Sequence, residues 1–115
     1  MKATIFHNAR CSNSRGALEI LREAGIEPTI VEYLQTPPTA AELKRLLAAM
    51  QMPARALLRE KEAEYATLGL GEAKWTDDEL IGFMVAHPVL INRPIVETPK
   101  GVRLCRPPEV VREIL

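Results

Sequence analysis

Cys11 stands in the polar stretch His7-Asn8-Ala9-Arg10-Cys11-Ser12-Asn13-Ser14-Arg15, with an arginine before it, another after it and a histidine four residues upstream. A cysteine that only fills space belongs in an apolar run, whereas one set among polar residues beside positive charge favours thiolate over thiol. If a helix starts directly after Cys11, the unpaired amides of Ser12, Asn13, Ser14 and Arg15 converge on its sulfur, with the positive end of the helix dipole behind them. The same amides form a nest for an oxyanion. A nucleophile and an anion site then coincide, Ser14 and Arg15 lie within that site, and His7 is close enough to tune the thiolate. Position 14 is serine, so there is no CxxC pair. The chemistry is that of a single cysteine whose resolving thiol comes from outside.

Cys105, between Leu104 and Arg106, reads as a half-buried packing residue at a strand end. Two cysteines supply neither a disulfide framework nor a structural zinc site, and free thiols point to a reducing compartment, the cytoplasm. His7 and His87 have no acidic residue at metal-ligand spacing, so no metal is expected. His87, before Pro88, reads as packing at a helix end. Ten of the 15 basic residues are arginine, the side chain whose planar fork suits flat oxyanions. Arg93 precedes Pro94 at the entrance to a strand, Arg106 follows another strand, and Arg59 lies in a helical stretch. Each alone reads as a surface charge, and spacing does not bring the three to one sulfur.

The surrounding chain is an ordinary folded domain. Its 115 residues carry 15 basic and 15 acidic side chains, for a net charge of zero, which argues against a nucleic-acid-binding domain. With 47% hydrophobic and 26% charged residues, the composition is that of a globular protein rather than a disordered one. No window approaches the roughly 20 apolar residues that span a bilayer. The opening MKATIFHNAR has too short an apolar stretch for a secretory signal. No large apolar stripe is left over, so a monomer is expected.

Ala3–Phe6 is an apolar strand-like run, and residues from about Asn13 to Ala24 recur at helical spacing, with Ser12, Asn13 or Ser14 as cap and Gly25 beyond the end. Thr29–Tyr33 has β-branched and aromatic content. Strand, helix and strand make a βαβ unit with a parallel pair. Thr39 after two prolines caps a helix whose buried face is Leu43, Leu46, Leu47 and Met50. Ala54–Leu68 reads as broken helix, with Gly69 and Gly71 opening a loop. Thr76 and Glu79 form a capping box for a helix with the stripe Leu80, Ile81, Met84 and Val85, ending at His87-Pro88. Pro94–Glu97 and Val102–Cys105 flank Thr98-Pro99-Lys100-Gly101 as a hairpin. Pro107 and Pro108 pre-set a closing helix through Ile114. This order predicts a thioredoxin-like α/β fold: a mixed four-stranded sheet with flanking helices, one domain over residues 1–115, and a helical insertion at about 39–87. That layout commonly carries a cis-proline where Pro94 stands.

The segments HNARCSNSR, RALLRE, LINRPIVETPKG and LCRP, together with EPTIVEYLQTPP and TDDELIGFM, resemble in order and spacing the bacterial glutathione- and glutaredoxin-dependent arsenate reductases from about Thr4 to Leu115. The resemblance implies that Cys11 is the nucleophile that forms a covalent thiol–arsenic adduct, that Arg59, Arg93 and Arg106 hold the oxyanion, and that His7 helps to activate the cysteine. It implies no bound cofactor. Glutathione is the co-substrate, arsenite the product, and glutaredoxin the partner that recycles the mixed disulfide. Ala9 and Ser12 depart from the proline and glycine that the family often has there. Two other readings share the fold: a paralogue acting on another glutathione adduct or disulfide, and a redox-responsive regulator that binds RNA polymerase. Ser14, in place of a second cysteine, argues against the regulator, and Arg106 argues against both.

Overall fold

The computed structural model describes residues 1–115. Contacts divide the chain into two compact units, Met1–Thr36 with Arg93–Leu115, and Pro37–Asn92. The first unit holds strands β1 (Thr4–Phe6) and β2 (Thr29–Val31), helix α1 (Ser12–Glu23), strands β3 (Ile95–Thr98) and β4 (Gly101–Leu104), and a closing 3-10 helix, Pro108–Ile114. The second holds α2 (Ala40–Met50), α3 (Ala54–Leu57), α4 (Ala63–Thr67), α5 (Asp77–Ala86) and a short 3-10 turn, Pro88–Leu90. No helix is long and apolar enough to cross a membrane.

The strands lie in the order β2-β1-β3-β4. β1 runs parallel to β2 and antiparallel to β3, and β3 pairs antiparallel with β4. The fold is thus a mixed four-stranded sheet of thioredoxin-like layout. The α1 crossover makes the parallel pair possible, because two parallel strands need a long connection that returns to the starting edge. Strand alternation sends Ile5 and Val96 to one face. There they join Ala17, Ile20 and Leu21 of α1, Val111 and Ile114 of the closing helix, and Cys105 in one buried cluster. Gly16 permits the closest approach: an added Cβ would sit 2.9 Å from the Pro108 Cγ, so the closing helix lies directly on α1.

In the second unit, α2 buries Leu43, Leu46 and Leu47, and Thr39 Oγ1 accepts from the Glu42 amide at 3.1 Å. The capping box at α5 is reciprocal, with the Thr76 amide donating to Glu79 Oε1 at 3.0 Å and the Glu79 amide to Thr76 Oγ1 at 3.2 Å. A short antiparallel tie, with the Arg59 amide on the Leu90 carbonyl and the Asn92 amide on the Leu57 carbonyl, fixes the two ends of this unit's inner segment to each other.

Several boundaries differ from the sequence reading. Helix α1 begins at Ser12 with Cys11 itself at the N-cap, and no side chain caps it. β2 stops at Val31 because the Glu32 carbonyl turns to accept from the Gln35 and Thr36 amides. The hairpin turn shrinks to Pro99-Lys100, with Gly101 at φ 148°, a value that disfavours any side chain. The closing segment is 3-10 rather than α. Val85 is only partly buried, and Cys105 is fully buried rather than half-buried, at 0% exposure.

Candidate active site

The loop that presents Cys11 is fixed by its own backbone. The Cys11 amide donates to the Asn8 carbonyl at 2.9 Å, the Arg10 amide donates to Asn8 Oδ1 at 3.0 Å, and the Arg15 amide donates to the Cys11 carbonyl at 3.0 Å as the helix starts. Arg15 reaches back, its Nη1 donating to the Ala9 carbonyl at 2.9 Å. With Cys11 in extended conformation at φ −92° and ψ 123°, its sulfur lies by the head of α1, where the amides of Ser14 and Asn13 favour its charged form. These are donors that a helix cannot satisfy internally.

Two arginines complete this environment. The Arg93 guanidinium favours the charged form of the Cys11 sulfur, and Arg106 Nη1 lies 3.9 Å from that sulfur. Arg106 Nη1 also donates to the Arg93 carbonyl at 2.9 Å. Arg93 reaches this position from a cis peptide bond to Pro94, and a second cis bond joins Arg106 to Pro107. The Pro94 carbonyl accepts from the Cys105 amide at 2.9 Å, so the hairpin ends hold the two arginines side by side.

The thiol titrates accordingly. Burial is the largest single influence and disfavours the charged form, but the Ser14 amide, the Arg93 guanidinium and the Asn13 amide together outweigh it, so Cys11 ionises below its ordinary value. Cys105 shows the opposite: desolvation first, and then the nearby Glu113 carboxylate, push its thiol up to about 12. Alkylation with iodoacetamide, followed by mass spectrometry across pH, is expected to show Cys11 modified with a midpoint below that of a cysteine in the unfolded chain. Cys105 should stay unmodified until the protein unfolds.

His7 and Ser14 sit deeper than the sequence suggests. Ser14 is fully buried, and its Oγ lies 2.6 Å from His7 Nδ1 while accepting from the Asn8 amide at 3.0 Å. Its hydroxyl is therefore turned into the protein, and only its amide faces the sulfur. Burial lowers the His7 pKa, with Arg22 and Arg15 adding to the effect and Glu32 opposing it. A neutral ring can accept from the Ser14 hydroxyl at Nδ1. His7 thus meets Ser14 rather than Cys11. Ser14→Ala leaves a buried ring nitrogen and an amide without their shared partner. It is expected to cost about 1–3 kcal/mol of stability in urea unfolding.

Arg59 belongs to the second unit, where its Nε pairs with Glu62 Oε1 at 3.1 Å and its Nη1 donates to Asn92 Oδ1 at 3.3 Å, leaving the side chain 18% exposed. No three His, Cys, Asp or Glu side chains come together to hold a metal ion. Sequence reasoning overlooked Asn8, whose amide, carbonyl and side chain all brace the loop. Asparagine three residues before the cysteine, a residue type that bonds to backbone two positions on, is the signal that was there to use.

A cysteine at a helix N-cap, its thiolate favoured by main-chain amides and a guanidinium and a second guanidinium nitrogen 3.9 Å from its sulfur, on a strand–helix–strand–hairpin sheet, defines a thioredoxin-like protein built around a single reactive cysteine. The ArsC family model matches residues 6–114, and the chain belongs to the ArsC family. It is 60% identical over 112 residues to an arsenate reductase of Escherichia coli K12, covering 97% of this chain and 79% of that protein. It is 52% identical to an arsenate reductase of Rhizobium meliloti, covering 100% of this chain and 82% of the relative. Among solved structures, an arsenate reductase from Vibrio cholerae superposes with a TM-score of 0.96 at 45% identity, covering 100% of this chain and 98% of the other.

Proposed function

We propose that this chain reduces arsenate to arsenite through a covalent bond between the Cys11 sulfur and arsenic, with glutathione and glutaredoxin supplying the electrons. The observation that carries the reading is the Cys11 sulfur with Arg106 Nη1 at 3.9 Å, its thiol ionising below the ordinary value under the influence of the Ser14 and Asn13 amides and the Arg93 guanidinium. Arsenate approaches as an anion. Without compensating charge it would be repelled by a thiolate, and the same cations that favour the thiolate also screen that repulsion. Arg93 and Arg106 bind its oxygens, together with the head of α1 at Ser14 and Arg15.

The Cys11 thiolate displaces one arsenate oxygen, which leaves as water after taking up protons. The glutathione thiol then attacks the adduct. The electron pair that ends on arsenic makes it arsenic(III), and a disulfide links Cys11 to glutathione. Overall, arsenate and two thiols give arsenite, one disulfide and water. Glutaredoxin reduces the mixed disulfide and restores Cys11. His7 acts as a positioning residue, holding Ser14 and through it the amide that faces the sulfur. Phosphate shares the shape and charge of arsenate, so selectivity comes from the reducibility of arsenic(V) by thiols. Two free cysteines, one of them reactive, fit the reducing environment of the cytoplasm.

The test is a coupled assay with glutathione, glutaredoxin and an NADPH-dependent recycling system. NADPH is expected to be consumed when arsenate is added and not when phosphate replaces it. Consumption with phosphate, or none with arsenate, overturns the reading.

A further inference from the structure

Beside the Cys11 loop, and wholly within the first unit, lies a groove of about 260 Å³. One wall is the loop 7–10, and the other is formed by Glu32, Leu34 and Gln35 in the turn after β2. The first wall runs directly into Cys11, whose amide is bonded to the Asn8 carbonyl, so the groove is anchored to the reactive residue. Its surface is of mixed character. Leu34 is a large apolar side chain at 45% exposure, while Arg10 and Glu32 are exposed charges of opposite sign on the two walls. Neither carries a salt bridge to another residue. An exposed cation, an exposed anion and an exposed apolar side chain lining one groove complement a small zwitterionic peptide with carboxylates and an ammonium group at its ends.

We propose that this groove is the glutathione subsite, an inference that rests on the reading of glutathione as co-substrate. The γ-glutamyl ammonium pairs with the Glu32 carboxylate, and the Gln35 amide donates to the neighbouring α-carboxylate. The glycyl carboxylate takes the Arg10 guanidinium, and the central methylene lies on Leu34. With its glycyl end at the residue next to Cys11, the tripeptide carries its thiol to the rim where the arsenic adduct forms.

The test uses S-methylglutathione, which binds but cannot react, titrated into the ¹⁵N-labelled full chain. The expected result is saturable shifts of the amides at Asn8–Arg10 and Glu32–Gln35. Removing one exposed charge pair should weaken binding by about threefold to fivefold, the range that about 1 kcal/mol gives. Glu32→Gln is therefore expected to lose that factor, and N-acetyl-S-methylglutathione, which lacks the ammonium, to lose the same factor against the unaltered protein but nothing further against Glu32→Gln. Arg10→Gln should likewise weaken the intact ligand. Shifts confined to other residues, no saturable shift, or equal losses on acetylation in both proteins would overturn the subsite. Arsenate turnover driven by glutathione without these shifts removes the subsite alone. The shifts without arsenate turnover remove the enzymatic reading alone.

Discussion

Replacing Cys11 with serine should abolish arsenate-dependent NADPH oxidation, lowering turnover by on the order of 10⁴-fold or more, because a hydroxyl is neither ionised at neutral pH nor able to supply the electrons that a thiol gives up. The fold should survive, since Cys11 is a partly exposed N-cap residue outside the buried cluster. A circular dichroism melt close to that of the parent separates lost chemistry from lost structure. Cys105→Ala should keep its turnover, because that thiol is buried and held protonated. Wild-type turnover in Cys11→Ser, with loss in the Cys105 variant, would reverse the assignment of the nucleophile. Mass spectrometry of the wild type, trapped without glutaredoxin, should find one glutathione on Cys11 and none on Cys105.

Arg93→Ala should produce the second large effect and is expected to move two readouts together. Arg93 favours the charged form of the sulfur through hydrogen bonding and charge, so its loss should weaken both thiolate formation and the proposed oxyanion binding. Removing one such preorganised donor costs roughly 10²–10³-fold in rate, and kcat/KM for arsenate should fall within that range. The sign on the thiol follows directly. Arg93 favours the charged form, so without it the Cys11 pKa rises, and the alkylation midpoint moves to higher pH. Stability follows the same direction. A thiol whose folded pKa is depressed stabilises the fold above its unfolded pKa and loses that contribution as pH falls through the folded value. The variant should therefore show a flatter dependence of stability on pH across that window. Arg93→Lys restores the charge but not the planar fork, and should recover the alkylation profile more fully than the turnover. An unmoved alkylation midpoint in Arg93→Ala would mean that this guanidinium does not govern the sulfur.

Much of this arrangement was legible in the sequence because local chemistry decided it. Cys11 in a polar loop ahead of a helix, Thr76 and Glu79 at helical capping spacing, and proline and glycine around the hairpin are short-range signals, and the structure follows each. The parallel β1–β2 pair and the antiparallel β3–β4 pair follow the βαβ and hairpin readings, whereas the β1–β3 pairing that joins them depends on residues distant in the chain. What sequence reading missed depended on partners distant in the chain or on competition for one group. Ser14 was a plausible cap by type, but His7 and the Asn8 amide claim its hydroxyl. Cys105 follows β4, and its full burial depends on packing with residues of α1 and the closing helix. Arg93 and Arg106 could be named as candidates, yet their meeting at one sulfur required the hairpin to fold first.

That hairpin has a consequence of its own. Ile95 lies opposite Leu104, and Thr98 opposite Gly101, so the two-residue bend at Pro99-Lys100 works as a caliper whose jaws are the guanidinium groups at the far end. A slip of one residue between the strands would turn every side chain of β4 to the other face. It would carry the second jaw away from its target without changing a single charged residue. The spacing of the proposed anion clamp is thus written in a bend remote from both guanidinium groups, and insertions there should damage the clamp as surely as deleting an arginine.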